Sequence, residues 1–443
     1  MSDRRTRGWT RLASSAALIG AMLLAASGCG SSAPTPPPSA TARPPTPSPS
    51  VPPPTASPSP SPSPASSAQV DEIYDAIEDQ VAEIRGLEPK RAVTRQVIDD
   101  AELRTMITEL FDEETPPAYL AATERLYKAL DLIESDADLR DLTLDLLSGG
   151  VVGFYRDDQG KLYIVSKTGL PGVNERITFA HEYDHALQDQ NTTVFKDQDG
   201  ILDQTDRILA RQAIYEGDAS LLMTVWASAH FGLSDIAELL ALANDPEAAA
   251  LLNRMPAILR ETLTFPYTTG LSFVQAAQLQ GGWSAVDAFY DRMPESTEQI
   301  LHPETYRANE HPVVVDLPDD LAEQLGTGWS VPLEDTFGEF QLGIWLRDSG
   351  VPDAAAETAT TGWGGDRLAV VEGPNDAWGV VFETNWDSTQ DATEFLDTAQ
   401  PAVDGLSNAA RISAPGDQTV TILVASDDAT LLALDVLFGD TGV

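Results

Sequence analysis

A chain of 443 residues, 42 % of them hydrophobic, is long enough to fold as two domains. Acidic residues outnumber basic ones 69 to 27, and the resulting net charge of −42 repels phosphate backbones and argues against nucleic acid as a partner. A lone cysteine, Cys29, rules out an intrachain disulfide.

The first residues read as an export signal. Arg4, Arg5, Arg7 and Arg11 precede an apolar run over 12–26, and Ser27-Gly28 lead into Cys29. A basic start, a short apolar core and small residues at the cut describe a signal peptide over 1–28, too short and interrupted for a membrane span. Ser27-Gly28-Cys29 resembles a bacterial lipobox, with Ala26 where leucine is commoner. Cys29 would then be the lipidated first residue, anchoring an exported protein at the outer face of the cell membrane or in the envelope. The alternative is an ordinary cleaved leader with an incidental cysteine. Residues 29–68 are almost entirely Pro, Ser, Thr and Ala after the cysteine. Such a segment cannot bury a core, and it is expected to be a disordered, polyproline-like stalk reaching roughly 100 Å at ~3.1 Å per residue.

Globular composition begins near residue 70. Apolar residues at helical spacing (Ile73, Ile77, Val81, Ile84) predict a helix over 70–85, followed by helices over 101–111, 119–133 and 137–147. The period then changes. Residues 151–155 and 162–165 are β-rich runs around Asp157-Asp158-Gln159-Gly160, a hairpin signal. A loop over 169–174 leads to a helix over 175–188, and a long helix is expected over 204–229. Residues 232–293 read as mostly helical and 294–332 as ordered loop. The tail reads as a small α+β unit, with strands at 367–371, 378–383 and 419–424 and helices at 389–399 and 429–438.

The chemistry is concentrated in His181-Glu182-Tyr183-Asp184-His185. On a helix, residues four apart project from one face, so two imidazoles about 6 Å apart can hold one Zn2+ ion. Glu182 lies about 100° further round, placed to take a proton from a water polarised by the ion. Asp184 is charged where this pattern usually carries an uncharged residue; about 60° from His181, it could accept a hydrogen bond and orient an imidazole. Two histidines leave zinc short of a ligand. The best donor is Glu216 in Ala213-Ile214-Tyr215-Glu216-Gly217-Asp218-Ala219-Ser220, on a helix that a loop near 191–200 lets fold back. Gly217 and Ala219 are small enough for close helix–helix approach, and glycine within a helix calls for a packing reason. Asp218 and Asp189 are the substitute ligands.

An HExxH pair followed by a glutamate on a second helix resembles the gluzincin group of zinc metallopeptidases, to which thermolysin belongs. More narrowly, residues 181–190 with Glu216-Gly217-Asp218-Ala219 are similar to a set of secreted bacterial proteins. Residues 296–303 and 362–367 resemble segments of the same set, and the similarity runs from about residue 70 to the end. The resemblance implies a zincin-like fold with zinc on His181, His185 and Glu216, and Glu182 as base and then acid. It also implies that the 151–165 hairpin belongs to a sheet whose edge strand pairs with an extended peptide. A hydrolase needs a donor for the developing oxyanion. His302 is the expected donor; His311, Tyr155, Tyr183 and Tyr306 are alternatives, and His302 could equally be structural, satisfying a loop carbonyl.

The expectation is therefore an α+β protein with a zincin-like, helix-rich metallopeptidase domain over 69–345 and a small α+β region over 346–443. It would be exported, lipid-anchored and active on a peptide or protein substrate. The alternative is a non-catalytic zincin-fold surface lipoprotein that serves as a binding or assembly module.

Overall fold

A computed structural model describes residues 67–166, 170–196 and 201–439. The expected signal peptide, Cys29 and nearly all of the stalk lie outside the described residues. Helix α1 (Ser67–Arg85) follows from its apolar stripe: Tyr74, Ile77 and Val81 are buried, while Ile73 and Ile84 are partly covered. The hairpin expected around residue 157 forms as β2 (Gly153–Arg156) and β3 (Lys161–Val165), but it is not alone. A strand absent from the sequence expectation, β1 (Thr94–Ile98), pairs in parallel with β3, giving the order β1-β3-β2. The hairpin thus supplies one edge, β2, and its other strand is central.

Helices α2 (Asp100–Glu114), α3 (Pro117–Ala129) and α4 (Leu139–Gly150) pack as a layer. Asp99 and Glu102 form a reciprocal capping box at the start of α2. The helix expected over 119–133 stops at Ala129, because Asp131 turns the chain through a left-handed conformation, φ 54°. Two long helices follow, α5 (Val173–Asn191) and α6 (Thr205–His230). Every residue of α5 from Ile177 to Gln190 is buried, polar and apolar alike. The helical stretch after Gly232 resolves into α7 (Leu233–Ala243), α8 (Pro246–Arg254), α9 (Ala257–Phe265), α10 (Leu271–Gly281) and α11 (Trp283–Asp291). Between α9 and α10 the chain makes a π-helical turn, Pro266–Gly270.

The expected loop over 294–332 contains short helices α12 (Thr297–Leu301), α13 (Pro303–Ala308) and α14 (Leu321–Leu325) and the start of β4 (Ser330–Asp335). Helices α15 (Gly338–Asp348) and α16 (Asp353–Thr360) precede β5 (Trp363–Glu372) and β6 (Trp378–Trp386). Helix α17 (Thr389–Asp404), β7 (Ala409–Gly416), β8 (Thr419–Ala425) and α18 (Asp428–Phe438) complete the chain. The strands form an antiparallel sheet in the order β4-β5-β6-β8-β7. Its two faces follow the alternation of β5: Leu368 and Val370 join a core with Phe111 and Leu126, while Ala369 and Val371 meet α18. The molecule is therefore mixed α+β, as expected. The expected division between 345 and 346 falls inside α15, and one hydrophobic core runs across it.

That shared core fixes the start of α6. Asp335 accepts hydrogen bonds from Thr205 N (2.7 Å) and Oγ1 (2.6 Å), and Asp206 accepts from Thr297 Oγ1 at 2.5 Å. Asp366 accepts from Phe337 N (2.7 Å) and Gly338 N (2.6 Å), shaping the turn that faces Asp206. Gly338 has φ +77°, and a Cβ there would lie 1.8 Å from Asp206 Oδ1. Gly338→Ala combines left-handed strain with a buried clash, and it is expected to lower stability by about 2–4 kcal/mol. Denaturant titration against the parent chain measures this directly; an unchanged midpoint would mean that the turn yields freely.

Candidate metal centre

Glu175 starts α5 by accepting a hydrogen bond from Gly172 N at 3.0 Å, and the helix then carries His181 and His185 one turn apart. Their Nε2 atoms lie 3.1 Å from each other. Glu216 Oε2, from α6, lies 3.2 Å from His181 Nε2 and 3.3 Å from His185 Nε2. These three buried residues offer ligand atoms all within 4.8 Å of one another, so they could hold a metal ion. Among the described residues no other group of three or more His, Cys, Asp or Glu side chains does so.

The orientation of His185 is built into the helix. Gln188, one turn on, donates from Nε2 to Asp184 Oδ2 and to the Tyr215 carbonyl, both at 3.0 Å. Its carbonyl oxygen therefore faces His185 Nδ1 at 2.9 Å and accepts that proton, leaving Nε2 for a metal. Asp184 thus acts through Gln188 and not on an imidazole directly. Behind it, Asp218 takes a bidentate pair from Arg85 at 2.9 and 3.0 Å and a hydrogen bond from Tyr290 at 2.6 Å. Arg85 also meets Asp287 at 2.7 Å and lies 4.9 Å from the Trp283 ring centroid. Burial and the neighbouring Asp218 raise the Asp184 pKa to about 8 against the pull of Arg85. The substitute ligands are committed elsewhere: Asp218 to Arg85, and Asp189 to Tyr155 at 2.8 Å and to Arg91.

Gly217 has a packing reason, but not the expected one. A Cβ there would meet the Gly270 carbonyl oxygen at 2.6 Å, and a Cβ on Gly270 would meet the Ala213 carbonyl oxygen at 2.4 Å. The close approach is therefore between α6 and the π-helical turn. It brings Tyr267 to the metal-binding residues, with its ring centroid 6.2 Å from that of His181. Burial raises the Tyr267 pKa well above its usual value, and Glu216 and Glu182 add to the shift. Tyr267 is the residue the sequence reading missed. Pro266 and Gly270 within an otherwise helical stretch were its only signal, since π-turns recur at functional sites.

The other donor candidates have structural partners. His302 Nε2 lies 2.8 Å from Glu339 Oε1, and the exposed His311 meets Glu295 at 2.6 Å. Tyr155 is held by Asp189, Tyr306 donates to the Arg292 carbonyl at 2.7 Å, and Tyr183 lies beside Glu78.

Comparison with known proteins adds little at this site. A family described as a domain of unknown function (DUF8575) matches residues 325–435, from the end of α14 into α18, and so contains none of the three metal-binding candidates. A solved structure from Chloroflexus aurantiacus, described as a candidate hydrolase with a novel fold, is similar at 17 % identity and a TM-score of 0.36. The similarity covers 55 % of this chain and 89 % of that one, too distant to carry fold or activity across. No curated protein matches the chain.

Two nitrogens and one carboxylate oxygen, with one tautomer enforced from behind, suit a borderline-soft divalent ion such as zinc. Burial opposes a proton on both imidazoles, and Glu216 opposes burial. At His181 burial wins and the pKa falls; at His185 the carboxylate wins and the pKa rises to about 10. Glu216 is lowered: burial is the largest single influence and raises it, but the charge and hydrogen bonds of His185 and His181 together outweigh it. In the metal-free protein the His185–Glu216 pair thus contributes stability below pH 6.5 that is lost as pH rises toward 10. Metal must displace that proton. Calorimetry in buffers of different ionisation enthalpy is expected to show about one proton released at pH 7, with affinity falling as pH falls. No buffer dependence would contradict this assignment. Gln188→Leu frees the His185 ring and is expected to weaken metal binding by about 10–100-fold; competition with a chromophoric chelator reads the change.

Proposed function

We propose that this protein is an exported zinc metallopeptidase that hydrolyses peptide bonds, tethered to the membrane through a lipid on Cys29. The observation that carries the reading is the convergence of His181, His185 and Glu216, with ligand atoms within 4.8 Å, beside Glu182 and Tyr267. His181, His185 and Glu216 would hold the ion. Zinc there would supply Lewis acidity, lowering the pKa of water and drawing charge from a carbonyl.

Glu182 is fully buried next to the metal-binding residues and influences both His185 and Tyr267 electrostatically. Its carboxylate takes the proton of the attacking water and returns it to the leaving amine. The Tyr267 hydroxyl, hydrogen-bonded to Glu216 and so beside the metal-binding group, donates to the developing oxyanion; His302 is bonded to Glu339 instead. Burial keeps that hydroxyl protonated, as a donor must be. The edge strand β2, packed against α5 with β3, supports binding of an extended peptide by backbone pairing.

The export signal, the Ser27-Gly28-Cys29 sequence and the proline-rich segment support a tethered extracellular location. Among the described residues no helix is long and apolar enough to cross a membrane.

Glu182→Gln is expected to bind zinc stoichiometrically while losing about 10²–10⁴-fold in cleavage of a peptide library. Tyr267→Phe is expected to lose about 10²–10³-fold in kcat with KM and metal content little changed. Native-level cleavage by Glu182→Gln would overturn the assignment of the base, and zinc binding without any hydrolysis by the parent protein would overturn the peptidase reading.

A further inference from the structure

Tyr267 also forms part of the wall of a separate space. Between α2–α4, α6, α9 and the β4–α15 turn lies a cavity of about 110 Å³. Its lining is dominated by apolar side chains, among them Phe111, Leu126, Leu147, Leu209, Leu263 and Phe337. Protein interiors are close-packed, and the apolar side chains around this space forgo contacts that a filled interior would give them. Apolar cavities of about 150 Å³ take up benzene, so the volume here corresponds to about one aromatic ring.

The lining is not wholly apolar. Tyr127, only 9 % exposed, lines the cavity, and its hydroxyl finds no hydrogen-bond partner among the described residues. Asp335 lines the same space with its oxygens engaged: it accepts from Thr205 N at 2.7 Å, Thr205 Oγ1 at 2.6 Å and Thr336 N at 2.8 Å. A buried carboxylate in apolar surroundings disfavours a second negative charge. One water could satisfy Tyr127, but it would leave the apolar remainder empty.

We propose that this cavity is a binding site for a small uncharged amphiphile, with an apolar body of about one aromatic ring and one polar atom for the Tyr127 hydroxyl. The site is separate from the three metal-binding residues, and the proposal does not rest on the peptidase reading. A bound ring lies among Phe111, Leu126 and Leu209, and its polar atom meets Tyr127.

Titration of the full chain with phenol, benzene and benzoate, followed by calorimetry and ligand-observed NMR, tests this without reference to metal or turnover. Phenol is expected to bind saturably with one-to-one stoichiometry, benzene more weakly, and benzoate about tenfold or more below phenol. Tyr127→Phe keeps the shape of the cavity and is expected to weaken phenol by about three- to tenfold while leaving benzene unchanged. Thr143 lines the cavity and its hydroxyl only bonds back to the Leu139 carbonyl at 2.7 Å, so Thr143→Phe is expected to fill the space and abolish both. Absence of saturable phenol and benzene binding to the parent chain would overturn the proposal. So would unchanged phenol affinity in Tyr127→Phe, or full binding of both in a folded Thr143→Phe. If Thr143→Phe does not fold, the parent and Tyr127→Phe titrations decide alone.

Discussion

Arg85 and Asp218 form a bidentate ion pair in a region that also buries Glu182, Asp184 and Glu216, each at 1 % exposure or less. Several carboxylates in one dry helix pair are tolerable only with cationic and hydrogen-bonding partners to hold them. Arg85 supplies a guanidinium from the end of α1, and Gln188 and Tyr290 complete the shell around Asp218. From there the order passes to Gln188, from Gln188 to the ring of His185, and from that ring to the point where three ligand atoms meet. The group that could hold a metal is thus the inner end of a polar chain whose outer end is residue 85. Removing the guanidinium would leave Asp218 buried without its main partner, a defect far larger than the net worth of the pair.

The centre was legible because helical spacing alone places His181, Glu182 and His185, and Glu216 is the donor nearest at hand on a neighbouring helix. Its supports were not. Gln188 looks like any polar helical residue until the Tyr215 carbonyl and Asp218 arrive from α6. Arg85 reads as the basic last residue of an amphipathic helix, although it is almost fully buried. Tyr267 sits in a π-turn whose geometry depends on Gly217 and Gly270 touching across 53 positions of sequence. Its approach to Glu216 is tertiary, and no local pattern encodes it. His302 is open to a donor or a structural role on sequence alone, because its partner, Glu339, comes from α15.

The strands show the same division. The central strands β3, β6 and β8 are apolar on both faces and announce themselves by composition. Of the four strands at the sheet margins, β2 was legible through its hairpin, whereas β1, β4 and β7 have few buried residues and depend on a neighbour to make them strands. Periodicity makes the tail a small α+β unit that could be a second domain or an extension of the first; in the structure β5 shares a core with α2 and α3. That sharing is a long-range packing fact that periodicity cannot express.

The anchoring of α6 has a bearing on how the protein is made. Thr205 is held by Asp335, 130 positions later in the chain, and the turn at Gly338 is set by Asp366. A nascent polypeptide therefore carries both histidines and Glu216 long before it carries the residues that seat the glutamate helix. The group formed by His181, His185 and Glu216 therefore reaches its full seating only once residues 335–366 have been made, and a copy cut before them would lack the contacts that hold the start of α6.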